Sequence, residues 1–299
     1  MAEASELDCS EVLRVIALAR EEDLGQHGDV TSSLLPAHRL SAEGRWRLTA
    51  RDEGRFCGRE LLPILLRELA PEVRLLRVGP DDPQGRVSRG EAIAELAGHV
   101  GQMLAAERTI LNFLQHLSGI ATLTARYVAA VAGTGAKIYD TRKTTPGLRT
   151  LEKYAVRCGG GHNHRIGLFD AVLIKDNHLA GIPRERLAHA VFEMLNRLAS
   201  LPIRSSFVEV ECDHLDQFEE LLKVVGIDVI LLDNFEIEAL RQAVELRDRH
   251  GLRGKIELEA SGRTQLENVR RIAETGVERI AVGALTHSAP ILDLGLDAA

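Results

Sequence analysis

The sequence predicts an α/β protein whose second half is a parallel barrel, and two observations carry that reading. Short β-branched runs beginning at positions 207, 229, 255 and 279 recur at the length of one strand, one helix and two short loops, the cadence of parallel βα units. Six such runs also end in reactive or small residues. A closed parallel barrel gathers all its strand ends at one mouth, whereas an open doubly wound sheet concentrates chemistry at one switch point. The six runs are Lys137–Tyr139, Ala171–Ile174, Phe207–Val210, Val229–Leu232, Lys255–Leu258 and Arg279–Val282. Apolar spacing places helices between them over Arg186–Ala199, Leu215–Val225, Ile237–Arg249 and Gln265–Thr275.

The first hundred residues follow a different pattern, that of an α+β module. Glu11–Glu21 and Leu61–Leu69 have helical periodicity, Trp46–Ala50 alternates as a half-buried strand, and Val73–Val78 and Ile93–Val100 read as further strands. Gly79-Pro80 and Asp82-Pro83 punctuate the module. A long apolar helix from Met103 onward leaves no flexible linker, so the boundary falls near Gln115. The domains are then 1–114 and 115–285, with the tail 286–299 able to return to the first.

Composition narrows the function. A chain of 299 residues with 45% apolar content can fill one large core or two ordinary ones, and disorder is not expected. Against 37 Lys and Arg stand 44 Asp and Glu, a formal charge of −7. That argues against binding nucleic acid through an overall field, and an anionic ligand would need a local basic pocket. The cysteines at 9, 57, 158 and 212 form no C-x-x-C pair, so neither a zinc site nor a disulfide framework is indicated. No apolar run approaches a membrane span, and the acidic Met1–Ser10 does not resemble a signal peptide. A cytoplasmic protein is expected.

The local basic pocket is visible. Asp140–Lys143, Arg149, His162, His164, Arg165 and Lys175 cluster on the first two barrel strand ends. A single Arg or Lys is usually a solvated surface charge, but a cluster at one mouth is suited to a polyanion, with Arg forks gripping carboxylate or phosphate and Lys adding a point charge. Glu211 and Asp233 follow consecutive strands. Two hard oxygen donors without His or Cys suit magnesium shared with a phosphorylated substrate, and helix capping is the competing reading. Ser261-Gly262 and Gly283-Ala284, after the last two strands, have the form of a backbone phosphate cradle. No spacing supports a nucleophile constellation.

At Asp140-Thr141-Arg142-Lys143-Thr144-Thr145-Pro146-Gly147-Leu148-Arg149 the chain resembles the quinolinate phosphoribosyltransferases, decarboxylating enzymes that make nicotinate mononucleotide for NAD synthesis. The resemblance extends in order through Glu22–Gly25, Gly28–Thr31, Glu107–Asn112, Leu117–Thr122, His164–Leu168, Ile174–His178, Val208–Glu211, Leu231–Phe235 and Val282–Ser288. It implies an N-terminal α/β sandwich followed by an incomplete, seven-stranded α/β barrel, one strand more than the six read above. It also implies a homodimer with shared active sites, and allows a larger assembly. By motif, Arg142, His164, Arg165 and Lys175 would hold the quinolinate carboxylates, with Arg108 entering from the partner subunit. Lys143 would contact both quinolinate and phosphoribosyl pyrophosphate, Glu211 and Asp233 would hold Mg2+, and Ser261, Gly262, Gly283 and Ala284 would cradle the ribose phosphate near His287. Lys143, Lys175, Glu211 and Asp233 form the implied catalytic set.

One departure from the family pattern stands at Arg263, where many relatives carry a second glycine. If the backbone there needs positive φ, Arg costs about 1 kcal/mol or somewhat more. Two other readings compete with quinolinate transfer: a paralogous phosphoribosyltransferase acting on another base, and a silent binding protein for the sugar pyrophosphate or a pyridine dicarboxylate. The full cation set disfavours the first, and the carboxylate pair Glu211 and Asp233 disfavours the second.

Overall fold

Val12 and Ile16, one helical turn apart, form the buried stripe of α1 (Ser10–Leu24), which ends where Gly25 turns to φ +48° and donates its N–H to the Glu21 carbonyl. The computed structural model describes residue 7 and residues 9–299. Most of Met1–Ser10, the segment read against a signal peptide, lies outside the described residues. After the single turn of α2 (Ala37–Leu40), β1 (Glu43–Ala50) alternates exposed and buried side chains toward its end, as a strand covered on one face must. β2 (Gly54–Arg55) precedes α3 (Leu61–Leu69), in which five leucine and isoleucine side chains are buried. β3 (Val73–Val78), β4 (Arg86–Val87) and β5 (Ala92–His99) complete this stretch, and α4 (Val100–Ala130) continues directly from β5 for 31 residues.

The remaining elements alternate as the sequence cadence requires. They are β6 (Lys137–Tyr139), α5 (Arg149–Cys158), β7 (Val172–Ile174), α6 (Arg184–Ser200), β8 (Val208–Cys212), α7 (Leu215–Leu221), β9 (Val229–Asp233) and α8 (Ile237–Arg249). Then come β10 (Glu257–Ser261), α9 (Val269–Ala273), β11 (Arg279–Ala281), α10 (Ala284–His287) and β12 (Leu294–Ala298). α9 is shorter than the predicted Gln265–Thr275. The Asn268 side chain accounts for the difference, because its Oδ1 takes the Gln265 N–H at 2.8 Å and its Nδ2 donates to the Arg263 carbonyl at 3.1 Å, closing a loop where the helix would have begun.

The chain forms two compact units. One contains the described chain up to Ala125 with 143–160 and Ala284–Ala299, and the other contains Arg126–Arg142 and Gly161–Gly283. In the first, an antiparallel sheet runs β12-β1-β5-β3. β5 is central and largely buried along its length, and β12 pairs with β1 from Trp46 opposite Ala298 to Ala50 opposite Leu294. The tail reaches that strand by crossing α4 at Gly119, where any Cβ would sit 2.0 Å from the Pro290 carbonyl oxygen. Only glycine allows that approach.

The second unit carries a six-stranded parallel sheet in the order β6-β11-β10-β9-β8-β7. Four consecutive residues of β9 are buried, so its sequence shows an unbroken apolar run instead of alternation. A seventh place beside β6 is held by one residue: His162 bridges Tyr139, donating its N–H to the Ile138 carbonyl at 2.8 Å and accepting from Asp140 N–H at 3.1 Å. The ladder stops there because the next residues bond to the Asp140 side chain. Arg247 of α8, 1% exposed, closes the opposite end of the unit with two 2.8 Å contacts to the Glu278 carboxylate and one to the Ile256 carbonyl. Among the described residues no helix is long and apolar enough to cross a membrane.

Candidate active site

Asp140, fully buried just beyond β6, organises the first part of the site. Its carboxylate accepts Asn163 Nδ2 at 2.6 Å and the His164 N–H at 2.8 Å. That pair of bonds ties the loop after His162 to the end of β6, which brings Arg142 and Arg165 together. Arg165 is 7% exposed, and its guanidinium is pushed below the usual arginine range by burial first and by the Arg142 charge second. Arg142 has a buried Nε with no hydrogen-bond partner. Two neighbouring guanidiniums, one of them with an orphaned buried donor, suit an anion that accepts from both.

Lys175 lies just past the end of β7. Its Nζ donates to Glu211 Oε2 at 2.6 Å, so a residue expected on the substrate carboxylates and one expected on a metal already face each other. A cleft of about 270 Å³ opens beside Glu211, bordered by Asp176, Arg184, Asp213 and His214. Asp233 ends β9 half-buried and accepts from Asn234 Nδ2 at 2.7 Å. Glu211 and Asp233 sit on paired parallel strands, two residues out of register, since Glu211 is opposite Leu231. This all-oxygen donor set, on adjacent strand ends beside open space, fits magnesium.

The loop expected to cradle phosphate makes a close approach to its neighbour. Ser261 pairs in register with Asp233, and its carbonyl takes the Asn234 N–H at 2.9 Å. Gly262 has φ +87°, and a Cβ there would lie 2.2 Å from Asn234 Oδ1. Arg263 does adopt the left-handed backbone, at φ +47°, so the position that departs from the family pattern carries the strain expected of a non-glycine residue. Gly283 closes the second unit two residues beyond β11.

The other residues expected from the sequence belong to the first unit. Lys143 is exposed, and its carbonyl accepts Thr286 Oγ1 at 2.7 Å. Ala284 begins α10 and the exposed His287 ends it. Arg108 projects from α4 into solvent while Thr109 and Ile110 beside it are buried. Arg149 is turned into its own loop, with Nε on Thr144 Oγ1 at 3.0 Å.

A four-membered array escaped the sequence reading. His164 Nε2 lies 2.8 Å from Glu209 Oε2 and 3.4 Å from Glu259 Oε1, and Arg279 Nε donates to Glu259 Oε2 at 2.7 Å. All four residues are buried. Burial disfavours a charged imidazole, and the contacts with Glu209 and Glu259 push the other way, to about 9; the Arg165 N–H, 2.7 Å from Nδ1, needs the lone pair that a charged ring lacks, so this arrangement is that of the neutral ring with its proton on Nε2 toward Glu209. Burial, then the Glu259 charge, pushes Glu209 up to about 7. Glu259 is itself held below the usual carboxylate range, with burial opposing and His164 and Arg279 prevailing. The donor atoms of His164, Glu209 and Glu259 lie within 4.8 Å of one another, but Arg279 already supplies the cation. The sequence signal was the spacing of Glu209 with Glu211 and of Glu257 with Glu259, together with an Arg opening an apolar strand.

A parallel sheet with its chemistry at the strand ends, a dense cation pair and two metal-type carboxylates define a barrel enzyme that handles anionic substrates. Residues 29–118 match the N-terminal domain, and residues 120–297 the C-terminal domain, of quinolinate phosphoribosyl transferase. The nicotinate-nucleotide pyrophosphorylase (carboxylating) of Mycobacterium leprae is 41% identical, over 94% of this chain and 95% of that one. The quinolinate phosphoribosyltransferase (decarboxylating) 1b of Nicotiana tabacum is 36% identical, over 94% of this chain and 81% of its own length. The solved nicotinate-nucleotide pyrophosphorylase of Francisella tularensis superposes with a TM-score of 0.84 at 37% identity, covering 97% of this chain and 96% of that one. The chain belongs to the quinolinate phosphoribosyltransferase family.

Proposed function

We propose that this protein transfers the phosphoribosyl group of 5-phosphoribosyl 1-pyrophosphate to quinolinate and decarboxylates the product, yielding nicotinate mononucleotide, pyrophosphate and CO2. The observation that carries the reading is the pair formed by buried Arg165 and half-buried Arg142, whose charge bears on Arg165 and whose Nε is buried without a hydrogen-bond partner. A dicarboxylate brings one negative charge for each guanidinium of the pair. Nicotinate supplies one, and it would leave desolvated cations unpaired, the condition under which a site discriminates strongly.

The residues divide the work. Arg142, Arg165 and Lys175, with His164 beside them, take the two carboxylates and aim the ring nitrogen, and Arg108 of a partner subunit completes the pocket in a homodimer. Lys143 serves both substrates. Ser261, Gly262, Gly283 and Ala284 present backbone amides to the ribose phosphate, with His287 nearby. Glu211 and Asp233 would hold magnesium, which supplies positive charge to the pyrophosphate. The ring nitrogen forms its bond to the ribose carbon as that carbon's bond to pyrophosphate breaks, so the protein's contribution is alignment and charge rather than a covalent intermediate. The ring then carries a positive charge, the bond to the adjacent carboxylate breaks, CO2 leaves, and the electron pair left on the ring carbon takes a proton. Incubation with phosphoribosyl pyrophosphate, magnesium and either quinolinate or nicotinate tests this. Nicotinate mononucleotide and CO2 from quinolinate support it, and turnover of nicotinate alone overturns it.

A further inference from the structure

The His164 ring is gripped on both edges. Nε2 faces Glu209 and Glu259, and Nδ1 accepts the Arg165 N–H at 2.7 Å. Behind it, Glu259 is fixed by Arg279, its register partner on the adjoining strand. Arg279 is in turn stacked 4.1 Å from the Tyr139 ring centroid and 5.2 Å from that of Phe207, and Phe207 meets the His164 ring edge-on at 5.4 Å. A continuous line of contacts therefore runs from β10 and β11 through the imidazole to the Arg165 backbone.

We propose that Glu209, Glu259 and Arg279 are positioning residues of the dicarboxylate pocket, acting through the His164 ring to hold Arg165. The proposal rests on the reading of Arg142 and Arg165 as the dicarboxylate site. Stability alone does not account for the array, because apolar residues of similar volume commonly replace buried ion pairs at no loss. The geometry supplies a different reason. The Arg142 charge opposes that of Arg165, so the loop that carries Arg165 has to be held against their separation. Asp140 does this from one side, through the His164 N–H. The carboxylates of Glu209 and Glu259 do it from the other, through the ring.

Calorimetric titration of wild type, Glu259→Gln, His164→Ala and the double variant tests this, with phosphoribosyl pyrophosphate binding measured alongside. Glu259→Gln should weaken quinolinate about tenfold to a hundredfold, the scale on which outer partners orient a ligand-binding group, and leave phosphoribosyl pyrophosphate binding unchanged. Because Glu259 acts through His164, the double variant should bind quinolinate no more weakly than His164→Ala alone. Wild-type affinity in Glu259→Gln, or losses that add in the double variant, overturns the proposal. Should Glu259→Gln fail to fold, Arg279→Lys, which keeps the charge but removes the Nε donor to Glu259, replaces it with the same expectations. A wild-type protein that binds no quinolinate overturns the dicarboxylate site itself and the array's role with it, whereas wild-type binding with an unaffected variant overturns the array's role alone.

Discussion

Removing Arg142 should separate binding from stability. In the folded protein this side chain is half-buried, its Nε lacks a partner, and its charge bears on the Arg165 guanidinium. An unsatisfied buried donor costs about 1–3 kcal/mol, and like-charge repulsion adds to that cost. Arg142→Ala relieves both and gives up the packing of the aliphatic stem, a loss of similar size and opposite sign. The melting temperature should therefore hold or rise slightly. Quinolinate binding should move the other way, because the guanidinium is one partner of a desolvated charge pair once substrate is present. Such a deletion costs about 2–4 kcal/mol, or about thirtyfold to a thousandfold in Kd. Arg142→Lys keeps the charge but loses the fork, so its affinity should fall between the two. Calorimetry with quinolinate, paired with thermal melts of the same preparations, reads both quantities. Unchanged affinity, or a fall in melting temperature large enough to mark Arg142 as a structural ion-pair residue, would refute the reasoning.

The remaining expectations probe the other parts of the site. Chelation should abolish turnover, and Asp233→Asn should lose activity far more than quinolinate affinity, since the proposed magnesium would serve the pyrophosphate side; full activity in excess chelator contradicts this. Gly262→Ala places a methyl group where only 2.2 Å separates it from Asn234 Oδ1 and adds about 1–2 kcal/mol of left-handed strain. It should raise the KM for phosphoribosyl pyrophosphate and lower the melting temperature, whereas Arg263→Gly should be tolerated, and equal behaviour of the two variants in kinetics and melts would count against the cradle. If the proposed homodimer shares its sites, mixing Arg108→Ala protein with Arg142→Ala protein should restore about a quarter of wild-type activity after random subunit exchange, because half the dimers would be mixed and each would have one intact site in an isologous arrangement. Demonstrated exchange without recovery would place Arg108 in its own chain's service.

The parts of this molecule that the sequence made visible are those whose physics is local. The βα cadence survives because each strand and helix buries its own apolar run, so β9 appears at Val229 and α3 at Leu61–Leu69 where the spacing puts them. The cation pair was legible because charge is uncommon near the end of a buried strand. The left-handed turn after β10 was legible because glycine marks a backbone position, and Arg263 shows the same from the other direction by taking the left-handed conformation without being glycine. What stayed hidden depends on partners far apart in the chain. Glu257 and Glu259 have the same spacing and chemistry, yet the Glu257 side chain is half-exposed and Glu259 is sealed. Nothing within their own strand separates them. Glu259 tolerates complete burial because Arg279 and His164 meet it there, one from the neighbouring strand and the other from a loop held by Asp140. A buried carboxylate is stable only in company, and that company is assembled by the barrel as a whole. The same dependence explains the single-residue bridge at His162: the chain leaves the sheet after one rung because Asn163 and His164 find a better acceptor in Asp140 than a further strand would offer, and that departure turns Arg165 toward Arg142.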